Sequence, residues 1–427
     1  MALAVNWSPL VGWTGREPDV VTVECSVVTG FELAAQQEVQ DRLGVAAAAI
    51  VPHQGRVIFD IAGSQLPQVL SLRTIDNAWI LVGVIPQMDL TGPEDETLER
   101  LIALLPDLDW PRGLAAWRRI FNRPHLNFDS DQGIDSEPIK RVKIIGDEGD
   151  TSPDSIPSFR CTCYRTGTGH AFGSMDAAKA IGGAIQDKFQ WRVRMKDFDI
   201  EVVVNIDISQ VYFGISLTHV SLFKRNIEHF GPTTLRATIC SSLLKLANIQ
   251  PGDVVVDPMC GGGSIPIEGA LGYRQGFYLA GDYHELACGR TKDNIQALVT
   301  RDNKGLPIDG FQWDVTSIPL KTASVDVFVT DLPFGKRSGS KADNRVLYPR
   351  VLLSMARVVK PNSGRAVLLT QDKTSMFKST GKFSAYWKTT KHSYCNIGGL
   401  AALVFMMTRT DKMPDDPSSE GRPASTS

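Results

Sequence analysis

The chain has 427 residues, 43% of them hydrophobic, with 45 basic and 47 acidic side chains and a formal net charge of −2. That length allows two or three domains with proper cores, and the near-neutral balance excludes a polybasic nucleic-acid coat while leaving room for local basic patches. Seven dispersed cysteines, without a Cys-x-x-Cys pair, argue against a disulfide framework and a zinc site, so no metal is expected. Met1 to Trp13 has no early positive charge and is not read as a secretory signal. No apolar stretch approaches the roughly 20 residues of a membrane helix, so the expected location is cytoplasmic, with the nucleus as a second compartment.

In chain order, Val20 to Val28 and Arg56 to Ile61 read as strands around an amphipathic helix from Phe31 to Leu43 that Gly44 closes. A second helix is expected over Leu66 to Ile75, giving an α+β pattern. Asp129 to Asp154 is rich in Asp, Glu, Ser, Pro and Gly and reads as an acidic loop with little capacity to pack. Phe159 to Tyr164 is a strand whose Cys161 and Cys163 share one face, as packing residues do. Ser174 is expected to cap a helix running through Ala177 to Phe189, and Ile200 to Ile206 pairs with Val211 to Leu217. Basic clusters stand at Arg118-Arg119, Lys140-Arg141-Lys143, Arg192-Arg194-Lys196, Lys224-Arg225 and Lys336-Arg337. Singly, each is a solvated face; together with Phe189 and Trp191 they are read as an RNA groove.

The carboxyl-terminal half carries the chemistry. Val254-Val255-Val256-Asp257-Pro258-Met259-Cys260-Gly261-Gly262-Gly263 is a strand followed by a glycine-rich turn, and Pro266 follows where a helix can open. Asp282 ends the next apolar run, Phe277 to Ala280, where a carboxylate conventionally meets ribose hydroxyls in a dinucleotide-type fold. Asp314 follows Trp313 at the expected third strand end, and Asp331 follows the run Val325 to Val329. In a doubly wound sheet these four acids share one crevice. A dinucleotide fingerprint lacks its third small residue here because Pro266 intervenes, and no Lys-Ser/Thr follows the glycines, so S-adenosylmethionine is favoured over NAD or a nucleoside triphosphate. Cys260 is read as filling space under the cofactor, not as a nucleophile.

Asp331-Leu332-Pro333-Phe334 then specifies an amino-group methyltransferase. An exocyclic base amine is a poor nucleophile because its lone pair is delocalised. The Asp331 carboxylate and the Leu332 carbonyl can accept its two N–H bonds, Pro333 fixes the turn, and Phe334 can stack on the base. The tetrapeptide does not separate guanine N2 from adenine N6.

The segments Asn226 to Arg236, Asp257 to Gly261, and Asp331 to Arg337 with Gly339-Ser340-Lys341 resemble the THUMP-domain tRNA guanine-N2 methyltransferases, in the family's order and over about Val21 to Thr410. The resemblance implies an α/β fold: a carboxyl-terminal class I, Rossmann-like S-adenosylmethionine methyltransferase domain preceded by an α+β ferredoxin-like plus THUMP region. Expected boundaries are 1–90 ferredoxin-like, 91–220 THUMP with its acidic loop near 127–158, 221–235 linker, 236–410 methyltransferase and 411–427 tail. Carried over by position, Pro232, Thr233, Thr234 and Leu235 would line the methionine end of the cofactor. Asp257, Pro258, Cys260, Gly261 and Gly263 would form the turn beneath it, Asp282 would hold the ribose, and Asp314 with Val315 the adenine. Asp331, Leu332, Pro333 and Phe334 would hold the target base, Asp331 also facing the cofactor. The THUMP region would grip the tRNA 3′ end, with Arg160, Arg165, Lys188, Arg192 and Arg194 as phosphate contacts. The expected product is N2-methylguanosine in the acceptor stem, at position 6, formed with a small zinc-ribbon activator subunit in a heterodimer. Family members often carry Gly-Thr-Gly where this chain has Gly261-Gly262-Gly263, a departure that bears on cofactor affinity. Two other readings remain: methylation of guanosine N2 or adenine N6 in another RNA, and a non-catalytic tRNA-binding module.

Overall fold

In the computed structural model, the described residues are 19–45, 48–51, 54–123, 125–126, 128, 155–208, 210–302, 305–334 and 341–414. The Lys140-Arg141-Lys143 and Lys336-Arg337 clusters and most of the acidic loop and tail lie outside them.

The amino-terminal half runs β1 (Val20–Val27), α1 (Glu32–Leu43), β2 (Ala48–Val51), β3 (Arg56–Ala62), α2 (Leu66–Val69), β4 (Ile75–Ile85), α3 (Glu94–Ile102), α4 (Trp110–Ile120), β5 (Ser158–Thr166), α5 (Ser174–Phe189), β6 (Arg192–Val193), β7 (Ile200–Asp207) and β8 (Gln210–Ser216). Its eight strands form one sheet in the order β2-β3-β1-β4-β8-β7-β5-β6. The junction is β4 against β8, antiparallel, with Trp79 opposite Ser216. That pairing removes two edges that would otherwise be open.

Three expectations change. The helix expected over Leu66 to Ile75 shrinks to the one-turn α2, because Ile75 opens β4 and pairs with Val27. Ser174 is the first helical residue and not the cap: Gly173 is the N-cap, and its N–H donates to Asp176 Oδ2 at 2.9 Å. Phe189 and Trp191 are not a base platform; both are buried, stacked on each other at 4.5 Å, with Trp110 and Phe159 beside them. Cys161 and Cys163 pack into the hydrophobic core as expected, and all seven cysteines are free.

The carboxyl-terminal half runs α6 (Ala237–Leu246), β9 (Val254–Asp257), α7 (Ser264–Gly272), β10 (Phe277–Asp282), α8 (Glu285–Asp302), β11 (Ile308–Gln312), β12 (Val327–Asp331), α9 (Lys341–Val358), β13 (Arg365–Thr370), α10 (Lys373–Lys382), β14 (Trp387–Ile397) and β15 (Leu400–Arg409). Its seven strands are ordered β11-β10-β9-β12-β13-β15-β14, parallel except for β15, which is antiparallel to both its neighbours. The order reverses between β9 and β12, so the crevice outside their carboxyl ends is where such a sheet binds ligands. Among the described residues, no helix is long and apolar enough to cross a membrane.

The two sheets meet along a polar seam. Arg73 donates to Glu268 at 2.6 Å, Lys245 pairs with Asp41, and Arg225 reaches the carbonyls of Leu72 and Arg73. At the far end, Asn396 N–H donates to Thr29 O at 2.9 Å, so the β14–β15 turn touches the loop after β1. Gly30, at φ +100°, makes that approach possible: a Cβ there would stand 2.2 Å from the Tyr394 carbonyl oxygen. Gly30→Ala is expected to cost about 1–3 kcal/mol through the clash and the left-handed backbone. Thermal unfolding checks it, and an unchanged melting temperature would show that the seam yields freely.

Candidate active site

Asp257, Asp282 and Asp331 end β9, β10 and β12, and the parallel register brings them to one edge: Asp257 is opposite Ala280, and Phe328 opposite Val256. Asp257 is buried, with Oδ1 accepting Met259 N–H at 3.2 Å and Oδ2 left without a hydrogen-bond partner. Burial first, and the neighbouring Asp331 second, push its carboxyl well above the usual range, against smaller opposing effects of the Thr330 hydroxyl and the Met259 N–H. Asp331 is pushed up to about 6, chiefly by burial, against a smaller opposing effect of its own backbone N–H, with Asp282 raising it further. The Asp282 carboxylate instead faces backbone donors: Gly261 N–H and His284 N–H, each at 2.9 Å.

Asp314 stands at the rim. It is exposed and caps the short turn Val315–Ser317 through Thr316 N–H at 2.8 Å, while Val315 is buried beneath it. Trp313 ties rim to turn: its indole N–H donates to Pro258 O at 3.2 Å and its ring covers Gly281, where a Cβ would fall 1.9 Å from it.

The glycine turn has the backbone its sequence requires. Gly261 (φ +59°) and Gly263 (φ +81°) are left-handed, and Gly263 is the N-cap of α7. Gly262 is neither left-handed nor crowded: a Cβ would make ordinary 3.6 Å contacts with Asn294 and His229. A threonine in that middle position is therefore compatible with this turn. Cys260 is buried, 3.5 Å from Thr291 Oγ1, and burial raises its thiol well above the ordinary value, consistent with a packing role.

Asn294 is a positioning group the sequence reading missed. Its Oδ1 accepts the N–H groups of Glu228 (3.0 Å) and His229 (2.8 Å), and its Nδ2 donates to His229 O (3.1 Å) and Gly262 O (3.0 Å). One buried amide thus joins the 226–236 segment to the glycine turn. The signal was present: Ala287, Thr291, Asn294 and Leu298 form the buried stripe of α8, and a polar residue on such a stripe needs partners. Farther along, Thr234 Oγ1 accepts Gly231 N–H at 2.7 Å, Leu235 is buried, and Pro232 and Thr233 are exposed. A cleft of about 250 Å³ runs along this segment between Phe223, Phe230 and Arg236, and none of the four acids lines it.

The Asp331–Phe334 loop is braced from below. Leu332 N–H donates to Leu369 O at 2.8 Å, and Pro333 O accepts from Tyr348 Oη (2.7 Å) and Asn344 Nδ2 (3.0 Å). Asn344 and Tyr348 lie one turn apart on α9, a pairing not foreseen from sequence. Phe334 is half-buried.

The basic residues expected at RNA do not form one cluster. Arg160 Nε donates to Glu201 at 2.9 Å and its guanidinium covers Phe198, while Arg165, at odd spacing on β5 and so on the opposite face, lies 3.2 Å from His170 Nδ1. Lys188 lies near the Phe189 ring, Arg192 donates to Ile156 O at 2.8 Å, and Arg194 is exposed.

A Rossmann-like sheet with acids at successive strand ends, a glycine turn and an Asp-Leu-Pro-Phe loop defines a class I methyltransferase. Residues 225–402 match the family model of the RMKL-like methyltransferase domain, and residues 143–216 match the THUMP domain. The chain is 38% identical to the tRNA (guanine(6)-N(2))-methyltransferase THUMP3 of Bos taurus, over 94% of this chain and 90% of that protein. It is 31% identical to the human U6 snRNA (guanine-N(2))-methyltransferase THUMPD2, over 50% of this chain and 41% of that one. TrmN from Thermus thermophilus shares the fold, with a TM-score of 0.69 at 19% identity over 91% of this chain and 99% of that one. The chain belongs to the THUMP-domain tRNA guanine-N2 methyltransferases. It is an S-adenosylmethionine-dependent enzyme, as the motifs imply.

Because Asp331 has a folded-state pKa raised from 3.8 to about 6, its protonated form is favoured by the fold. The stability it lends is complete below the unfolded value and is lost as pH rises through about 6. Asp331→Asn should therefore match the parent near pH 4 and exceed it by up to about 3 kcal/mol above pH 7. Melting curves across pH test this, and a gap independent of pH would mean that Asp331 titrates normally.

Proposed function

We propose that this methyltransferase acts on N2 of a guanosine in the tRNA acceptor stem, at position 6. The observation that carries methylation of a base amine is the Asp331–Phe334 loop, whose carboxylate stands desolvated beside Asp257 while Asn344 and Tyr348 hold Pro333 O; the choice of guanine N2 is supported by similarity to a guanine(6)-N2 enzyme. Similarity to a guanine(6)-N2 enzyme over 94% of the chain supports the position.

The site suits S-adenosylmethionine, which supplies an electrophilic methyl group when bound. Left-handed Gly261 and Gly263 keep side chains out of the turn, and the unpartnered buried Oδ2 of Asp257 calls for a cation such as an α-ammonium. By the family resemblance, we assign Pro232, Thr233, Thr234 and Leu235 to the methionine end, Asp282 to the ribose, and Asp314 with Val315 to the adenine. Asp331 and the Leu332 carbonyl accept the two amine N–H bonds, which turns the nitrogen lone pair out of conjugation and toward the crevice. Phe334 stacks on the base. Asp331, ionised above about pH 6, is also positioned to take the proton that the amine loses on methylation. Orientation is the larger contribution, on the order of 7–11 kcal/mol for a well-aligned pair.

Arg160, Arg165, Lys188, Arg192 and Arg194 are assigned to phosphates of the tRNA 3′ end. A small zinc-ribbon subunit is assigned to the free edge of β11, where Phe277, Tyr283, Leu286 and Phe311 are exposed on or beside the last two strands. An apolar strand edge of this kind needs a cover.

Asp331→Ala is expected to abolish transfer while S-adenosylhomocysteine binding, read by calorimetry, survives; an active variant would sink the assignment. In the parent, kcat/KM should fall about tenfold per pH unit below about 6 as Asp331 protonates. Unmodified tRNA incubated with labelled S-adenosylmethionine, with and without the zinc-ribbon subunit, then digested to nucleosides, should give N2-methylguanosine dependent on that subunit. N6-methyladenosine would overturn the acceptor atom, and product from another RNA alone would overturn the tRNA.

A further inference from the structure

We propose that α10 and β14 form a binding surface for the RNA backbone beside the methylated base. The stretch from Lys373 to Thr410 contains no Asp or Glu, in a chain that is acidic overall, yet its first half holds five lysines: 373, 378, 382, 388 and 391. Lys378 and Lys382 are exposed one turn apart on α10; Lys388 and Lys391 are exposed on β14 opposite Thr408 and Met406, and so on the sheet face away from α10. Among the described residues, none of the five is paired with a carboxylate; the lysine ion pairs are those of Lys245 and Lys360.

Aromatic rings are set beside the lysines of α10. Tyr394 is 60% exposed and Phe377 45% exposed, a combination that costs free energy unless the rings are later covered. The Lys373 ammonium lies 4.5 Å from the Tyr394 ring centre, and His392 packs edge-on against Phe377 at 5.5 Å. Phe377 is backed by buried Phe405 at 5.0 Å, so the platform rests on the core of the sheet. Exposed rings interleaved with unpaired cations are what a nucleic-acid strand engages, by stacking and by phosphate contact.

The surface lies beside the chemistry. Asp331 pairs with Leu369 on β13, and the chain passes from β13 straight into α10. Asp372 caps α10 through Ser375 N–H at 3.1 Å and also accepts from Asn344 at 3.3 Å, the amide that holds Pro333 O. A strand whose target base enters over Phe334 has its flanking phosphates next to α10. Lysines, as point charges, would hold those phosphates without reading sequence, and would leave selection of the tRNA to the amino-terminal half. The inference rests on the RNA-substrate reading above. Its rival is that the lysines only guard an edge strand against pairing with another sheet.

The test uses the full-length protein and an unmodified tRNA transcript, with affinity measured by fluorescence anisotropy between about 50 and 200 mM salt. K378Q/K382Q should lower the slope of log affinity against log salt by roughly 1–2 and weaken binding about five- to twentyfold at the upper end, whereas K388Q/K391Q, on the other face, should keep the parental slope. The arginine double at 378 and 382 should retain the parental slope, and S-adenosylhomocysteine binding and melting temperature should not move. Parental slope and affinity in K378Q/K382Q, or an equal loss in K388Q/K391Q, would overturn the surface. A failure of the acceptor assignment is seen separately, as parent protein that binds tRNA but yields no N2-methylguanosine.

Discussion

Glu268 carries its carboxylate into the seam between the two sheets, where it is 1% exposed, and a carboxylate taken from water without partners costs several kcal/mol. Its partners come from three places. Arg73 reaches it from the amino-terminal sheet at 2.6 Å, Asn226 from the connecting segment at 2.5 Å, and Ser241 from α6 at 2.8 Å. Glu268 sits on α7, the helix that the glycine turn opens, so satisfying one buried charge fixes the amino-terminal half, the connector and the glycine turn relative to one another. Asn226 itself is left-handed at φ +67°, a conformation that persists only where its surroundings insist on it. Asn294 repeats the arrangement two residues farther along the connector.

The catalytic edge obeys the same constraint with the opposite outcome. Asp257 and Asp331 are also taken from water, but no arginine or lysine follows them, and their pKa values rise. Asp282 has two backbone donors instead. Burial thus holds the neighbouring Asp257 and Asp331 toward their protonated forms. A withheld donor marks a place where a ligand contributes the missing interaction.

Much of the methyltransferase half was legible because parallel strands announce themselves as apolar runs ended by single acids, and because the glycines at 261 to 263 read directly as a turn. Asp-Leu-Pro-Phe was legible because its chemistry is local. Long-range pairings were not. β4 reads as an apolar run, but nothing in it says that its partner is β8; the helix expected through Ile75 failed because strand pairing outcompeted local propensity. Trp191 and Phe189 were misplaced because an aromatic beside basic residues has the same local pattern whether it faces a core or a groove. Asn294, Asn344 and Tyr348 act on backbone atoms distant in sequence, and only their position on the buried faces of helices hinted at them.

The contact between Asn396 and Thr29 joins nearly the last strand pair to nearly the first. During synthesis the amino-terminal sheet can close on itself as soon as β8 has emerged, since all its strands are then present. The seam cannot: β13, β15 and β14 must be made before Gly30 has anything to pack against, and contacts between the two ends of a chain are the slowest to form. The amino-terminal sheet therefore has all its strands while the methyltransferase sheet still lacks its own.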